Sequence, residues 1–381
     1  MPRLPRLAAV LLLALASAGA AQARSPVQVG RFPAGPLDGI TDVAGVRVAH
    51  VTKVEGSDVR TGATAIVPDA DIWNDRLAAA AWDLNGNGEL TGAHWVNQAG
   101  FLEVPVVLTD TLDVGRADDG VVSWLVAKHP QIGVRDDVPL PVVGECDDQG
   151  VNDIAGRHVH AEDVVAMLDA AKPGDFARGN VGAGTGMRAF GFAAGIGSAS
   201  RVLPADAGGY TVGVLVNANT ADREQLRIDG VPVGRAVARE LLPVYPKSAG
   251  YAAPVRGRAA DGSIIAIVAT DAPLDHARLR DLTKRVALGL ARTGATSHVS
   301  SGDLFLAFST THHYPRAGGI TGPPLVSDER RVDALFEATA DATEAAVDDA
   351  LFSARTVTGR YGVTYYNLPY ARVQPLLRAA P

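Results

Sequence analysis

The chain of 381 residues holds one cysteine, Cys146, so no disulfide can form within it and stability must come from packing or from assembly. A lone thiol leaves two readings open, a small packed residue or a nucleophile. Charged residues are also scarce, at 20% against 47% apolar ones, which excludes an intrinsically disordered chain and allows a sizeable core. There is no excess of basic residues. The formal net charge is −7, which argues against nucleic acid or an anionic membrane surface as a partner. No apolar run is long enough to span a bilayer. Internal repeats and low-complexity segments are missing as well.

Several familiar chemical signatures start and then fail. Asp83-x-Asn85-x-Asn87-Gly88 opens like a calcium loop, but the position that needs a bidentate Glu holds His94. Gly182-x-Gly184-x-Gly186 follows a polar stretch rather than a strand, and no Lys-Ser/Thr pair completes a phosphate loop. These glycines suit close approach of backbone to backbone or substrate. His158, His160, Glu162 and the His312-His313 pair are metal-ligand types without a recognised spacing, so no metal and no other cofactor is expected. A G-x-S-x-G elbow is lacking, which leaves an α/β-hydrolase serine unsupported.

What is present begins with an export pattern. Arg3 and Arg6 precede an apolar run over 7–16, and Ala21-Gln22-Ala23 is a small-x-small cleavage site. Residues 1–23 read as a signal peptide, with a mature chain from about Arg24 in the periplasm or outside the cell. Beyond it, β-rich runs at 62–67, 104–108, 140–143 and 210–216 alternate with helical patterns at 161–171 and 231–242, an α/β chain. The stretch 243–261 carries Pro243, Pro246, Gly250, Pro254 and Gly257 with no clear periodicity, and a stretch of that kind is usually functional or a linker. It ends at Asp261-Gly262-Ser263. An apolar strand follows at 264–268. Asp271 and Pro273 then open a helix with Leu279, Leu282, Val286 and Leu290 on one face. A strand at 304–308 and a helix at 332–351 complete the C-terminal third.

A serine at the head of a strand, preceded by glycine and a loop that can be cut, suggests self-cleavage. A break before Ser263 would give one residue both a hydroxyl and a free α-amine, whose pKa near 8 lets it serve as a base at neutral pH. Gly262 suits a bent scissile peptide. Read from these residues alone, the pair also fits an ordinary turn.

Longer segments add to this. Gly35-Pro36-Leu37-Asp38-Gly39-Ile40-Thr41-Asp42-Val43, Asn85-Gly86-Asn87-Gly88-Glu89-Leu90-Thr91-Gly92, Gly144-Glu145-Cys146-Asp147-Asp148 and the runs at 151–154, 179–187, 212–219, 261–268 and 300–310 occur in order over about Arg31 to Phe308. In these the sequence resembles the self-processing β-aminopeptidases and L-aminopeptidase/D-esterases, the D-aminopeptidase-like N-terminal-nucleophile hydrolases of peptidase family S58. The resemblance implies a four-layer α/β/β/α sandwich, one domain self-cleaved into an α chain (24–262) and a β chain (263–381). It implies a serine aminopeptidase or amidase acting on short peptides, amino acid amides or esters with a free amino group, of L-, D- or β-aminoacyl type, and a homo-oligomer, a tetramer of αβ pairs. By the same resemblance, Gly262 and Ser263 flank the cut and Ser263 is the nucleophile. Ser301 and Asp303 orient it, Asn219 stabilises the oxyanion, and Glu145, with Asp147 nearby, receives the substrate's ammonium. Some relatives carry Glu where Asp303 stands and Tyr where Asp147 stands. Two other readings are an acyltransferase resembling the ornithine acetyltransferases, which use threonine at the cut, and an exported binding protein with an intact chain.

Overall fold

The computed structural model describes residues 25–68, 71–246 and 262–379. The expected signal peptide and most of the stretch 243–261, Asp261 included, lie outside them.

The chain opens with β1 (Val46–Glu55), β2 (Val59–Pro68), β3 (Asp75–Gly86), α1 (Ala93–Ala99), β4 (Phe101–Leu102), β5 (Val106–Thr109), α2 (Val114–Lys128), β6 (Val142–Glu145) and α3 (Ala161–Asp169). It continues with β7 (Arg188–Ala189), β8 (Phe192–Ala193), β9 (Gly195–Val202), β10 (Thr211–Asn219) and α4 (Val233–Ala236). From Ser263 onward come β11 (Ser263–Thr270), α5 (His276–Arg292), β12 (Gly302–Pro315), α6 (Glu329–Ser353), β13 (Val357–Thr358), β14 (Thr364–Tyr365) and α7 (Tyr370–Ala379). The strands form a four-stranded sheet in the order β1-β2-β5-β6 and a six-stranded sheet in the order β4-β3-β12-β11-β10-β9, besides two short hairpins.

The apolar runs have a simple cause. In β11, Ile264, Ala266 and Val268 face a core shared with Leu279, Leu282, Val286 and Leu335 of α5 and α6. The alternate residues Ile265, Ile267 and Ala269 face a second core shared with Ala63, Ala65 and Ile66 of the other sheet. A strand with both faces covered cannot alternate apolar with polar, so it is written as a continuous apolar run. Helices α2 and α3 contribute Ala117, Val121, Leu125, Val164 and Met167 to that second core from beyond the four-stranded sheet. The layers are therefore helix, sheet, sheet, helix, the expected α/β/β/α sandwich. Strands β11 and β12 run parallel, joined by α5, while β10 and β11 are antiparallel.

Two boundaries differ from the sequence pattern. The helix expected over 231–242 is cut to the single turn of α4. Arg223 takes the carbonyls of Glu240 and Leu241 with its guanidinium, and Leu241 itself sits at φ +47°, outside the helical region. Helix α5 starts later than Asp271 because Asp275 is its cap, accepting from the Arg278 N–H at 3.0 Å. Asp271 instead accepts from the Thr211 N–H at 2.7 Å, tying the end of β11 to the start of β10.

The long helix α6 lies directly on β9 at Gly197. A Cβ there would sit 2.0 Å from the Ala346 carbonyl oxygen and 2.6 Å from the Ala350 nitrogen. Backbone atoms of a packed helix cannot turn aside, so Gly197→Ala should destabilise the protein by about 1–3 kcal/mol. Thermal melting checks this. An unchanged midpoint would mean that α6 is not held as closely as described.

Candidate active site

The centre of the six-stranded sheet sets the site's frame. Asn219, the last residue of β10, is paired with Ser263, the first residue of β11. Ser263 is in turn paired with Gly302, the first residue of β12. Neighbouring strands stand about 4.8 Å apart, so three strand ends meet within two strand spacings. Ser301 and Asp303 flank Gly302 and belong to the same cluster. Ser263, Ser301, Asp303 and Asn219 are all buried.

Local hydrogen bonds orient these groups. The Ser301 hydroxyl donates to Asp303 Oδ1 at 2.8 Å. Asp303 Oδ2 is buried, and the Ser297 hydroxyl lies beside the carboxyl. Burial pushes the Asp303 carboxyl up from its ordinary range, while the Ser297 and Ser301 hydroxyls and the charge of His298 pull it down. The amide of Asn219 is fixed at both ends. Its Oδ1 accepts from the Arg188 N–H at 3.2 Å, and its Nδ2 donates to the Asp147 carbonyl at 2.8 Å. That leaves the second Nδ2 hydrogen for another acceptor. The Gly262 carbonyl accepts from the Gly302 N–H at 3.2 Å, which polarises the Gly262-Ser263 peptide. Gly262 is required by close approach, since a Cβ on it would lie 2.7 Å from the Asn219 carbonyl oxygen and 2.8 Å from Thr220 Cα.

Glu145 reaches the same region from the other sheet, at the end of β6. It is 4% exposed, so its charge is mostly out of water. Its Oε1 accepts from the Glu89 N–H at 3.1 Å and its Oε2 from the Thr111 hydroxyl. Burial pushes its carboxyl up, the Thr111 and Glu89 hydrogen bonds pull it down, and the charges of Asp147 and Glu89 push it up again. Asp147 is placed differently from Glu145. Its carboxylate is exposed and bonded to Gln149, and its main-chain carbonyl meets the cluster through Asn219.

The structure also answers other sequence readings near the site, beginning with the lone cysteine. Cys146 is fully buried and donates to the Asn217 carbonyl at 3.5 Å. Its thiol is pushed far up by burial and next by the Glu145 charge, with the Ser263 hydroxyl beside it and the Ile265 backbone easing it. A thiol held neutral is no nucleophile, so Cys146 is a packed residue between Glu145 and Ser263. The failed calcium loop has a structural task. Asn85 Nδ2 donates to the carbonyls of His298 and Ser301, each at 2.6 Å, and Asn87 Nδ2 to the Ser300 carbonyl at 2.7 Å. The same segment supplies the Glu89 N–H to Glu145, so one stretch ties the Ser301 loop to the acid. The histidines lie apart: His158 is near Asp153 and His313 near Asp75. Among the described residues, no group of three or more His, Cys, Asp or Glu side chains is placed to hold a metal ion.

This arrangement offers a hydroxyl, a hydroxyl–carboxylate pair, an amide N–H donor and a separate buried carboxylate at one end of two stacked sheets. The model of peptidase family S58 matches residues 38–365. The β-peptidyl aminopeptidase BapA of Sphingosinicella xenopeptidilytica is 39% identical over 358 residues, which cover 91% of this chain and 88% of BapA. Among solved structures, a β-aminopeptidase from Burkholderia sp. matches with a TM-score of 0.82 and 38% identity, over 92% of this chain and 96% of that one. The L-aminopeptidase D-Ala-esterase/amidase of Ochrobactrum anthropi, described as a prototype for the serine aminopeptidases and a variant of the Ntn hydrolase fold, matches with a TM-score of 0.81 and 34% identity, again over 92% and 96%. Fold, order of segments and the extent of these matches agree, and the chain belongs to peptidase family S58.

Proposed function

We propose that this protein is a self-cleaving serine aminopeptidase or amidase whose nucleophile is Ser263. The aminopeptidase or amidase class follows from the family, and the relatives support neither the acyltransferase nor the binding-protein reading. The observation that carries the residue assignment is the strand register, which sets Ser263 between Asn219 and Gly302 at a buried sheet end.

In the proposed maturation, the Ser263 hydroxyl adds to the Gly262 carbonyl, the C–N bond breaks, and the acyl group moves to oxygen as an ester. Water then hydrolyses that ester, leaving a carboxylate on Gly262 and a free α-amine on Ser263. In turnover this amine, with an ordinary pKa near 8, accepts the hydroxyl proton as oxygen attacks the substrate carbonyl. The remaining Asn219 N–H bonds to the oxyanion, a contribution of roughly 3 kcal/mol in comparable sites. Ser301 and Asp303 hold hydroxyl and amine in place. The α-ammonium returns its proton to the departing amine, and water releases the acyl group. Glu145 holds the substrate's ammonium, which makes the activity that of an aminopeptidase.

Substrates on this reading are small peptides or amino acid amides, including β-aminoacyl ones such as the name of the Sphingosinicella relative implies for that enzyme. The reading also includes export through residues 1–23 to the periplasm or medium, an α chain of 24–262, a β chain of 263–381 and an oligomer of αβ pairs. The basic, apolar and small-x-small order at the N-terminus supports export.

Ser263→Ala should leave one uncut polypeptide on a denaturing gel and lower activity by at least about a thousandfold, because one hydroxyl performs both reactions. Normal cutting in that variant would assign the scission to another residue. Glu145→Gln should lower kcat/KM for an amino acid p-nitroanilide by roughly a hundredfold or more, since it leaves a buried ammonium unpaired. Cutting should continue in that protein, and N-acetylated substrates should be little affected. Equal turnover of the free-amine substrate would make Glu145 a structural acid and turn attention to Asp147.

A further inference from the structure

Glu145 is a buried carboxylate with two hydrogen bonds among the described residues, and they come from different sources. The Glu89 N–H is main chain and survives any substitution. The Thr111 hydroxyl is a side chain that can be removed without changing volume. Thr111 is itself placed with care. It stands in a short turn directly after β5, whose last residue Thr109 is paired with Glu145 in the parallel β5–β6 ladder. Asp110 caps that turn, its Oδ1 accepting from the Leu112 N–H at 2.9 Å and the Asp113 N–H at 3.1 Å. Asp110 Oδ2 is held in turn by the Thr61 hydroxyl at 2.9 Å. The chain of contacts runs from β2 through Asp110 and its turn to Thr111, and ends on the acid.

We infer that Thr111 is a positioning and specificity-determining residue: its hydroxyl, aimed by the Asp110-capped turn, fixes the rotamer of Glu145 and keeps that carboxylate ionised for the substrate's ammonium. The inference rests on the assignment of Glu145 as the ammonium-binding acid. A hydroxyl that donates to a carboxylate favours the charged form, and in a buried site this offsets the desolvation that favours the neutral acid. The groups facing Glu145 deepen the need. Glu89 and Asp147 bear on it as like charges, and Cys146 next to it is neutral. Burial pushes Asp110 and Asp148 behind the turn towards their neutral forms, helped at Asp110 by the charges of Asp148 and Asp113 and at Asp148 by those of Asp147 and Asp113. Among the described residues, none of the groups that touch or adjoin the acid is a cation, and the two hydrogen bonds oppose its desolvation.

The sign follows directly. Removing the hydroxyl raises the Glu145 pKa, so a larger fraction of the acid is neutral at a given pH, and selectivity for a free amine falls first on the acid side. The test measures kcat/KM for an amino acid p-nitroanilide and for its des-amino analogue across pH 5 to 9, in the matured enzyme. The ratio of the two cancels the titration of the Ser263 α-amine, which both substrates share. In Thr111→Val the ratio should fall roughly tenfold at the acid end, and its rise should move up by about one pH unit, the size expected for loss of a hydrogen bond to a charged group. Thr111→Ser keeps the hydroxyl and should stay within about twofold of wild type. Cutting at Ser263 should be normal in both, which separates the effect from misfolding.

An unchanged ratio and profile in Thr111→Val, while Glu145→Gln abolishes the preference, would overturn the role of Thr111 alone. A preference unaffected by Glu145→Gln would overturn the assignment of the acid beneath it. A loss in Thr111→Ser equal to that in Thr111→Val would likewise contradict the proposal, because the hydroxyl would then not be the active feature.

Discussion

The site depends on the registry of three strands, β10, β11 and β12. Strand β11 is buried on both faces, with Ile264, Ala266 and Val268 in one core and Ile265, Ile267 and Ala269 in the other. A slip of one residue along β10 or β12 would exchange these two sets and move Ser263 away from Asn219 and Gly302 together. The two hydrophobic cores therefore do more than stabilise the sandwich: they hold a hydroxyl at a fixed place at the head of a strand that cannot slide. The Gly302 N–H that bonds the Gly262 carbonyl belongs to the same ladder. The position of the Ser263 hydroxyl is thus a consequence of packing many residues away.

Around this fixed point the polar groups are arranged in two sets that meet over Cys146. One set, Ser301, Asp303 and Asn219, lies at the end of the six-stranded sheet. The other, Glu145 with Thr111 and Glu89, lies at the end of the four-stranded sheet. Burial pushes both acids of these sets, Asp303 and Glu145, towards neutrality, and in each case hydroxyl donors oppose it. A low-dielectric setting strengthens every such hydrogen bond and every later contact with a charged substrate. The segment 85–90 joins the two sets, holding the Ser301 loop with two asparagine amides and the acid with one N–H.

Much of this was legible in the sequence, for reasons that can be stated. Strands buried on both faces leave apolar runs, so β10 and β11 and the core of β12 stand out, and amphipathic α5 and α6 follow from their spacing. The tail of β12 from Ser309 to Pro315 was not legible, because it leaves the core and continues beside β3 only after a break in register. The helix expected over 231–242 failed because Arg223, distant in sequence from Glu240 and Leu241, takes their carbonyls. At the site, Ser263, Asn219, Ser301, Asp303 and Glu145 are the residues the family pattern points to, and the fold brings them to one end of the two sheets. Thr111 was invisible, since nothing in a Thr-Asp-Thr run announces that one hydroxyl will meet an acid on a neighbouring strand. Asn85 and Asn87 were visible, but as a calcium loop that fails. Gly262 suggested a strained peptide, whereas the structure requires glycine there because Asn219 and Thr220 crowd it.

The central claim is that the chain divides itself before Ser263 and that the residue so exposed does the chemistry. Intact mass together with N-terminal sequencing of the purified, active protein addresses it directly. The account predicts two polypeptides, the smaller spanning 263–381 and beginning Ser-Ile-Ile-Ala-Ile-Val. A single polypeptide in a fully active preparation, or a smaller chain with a different first residue, would contradict it.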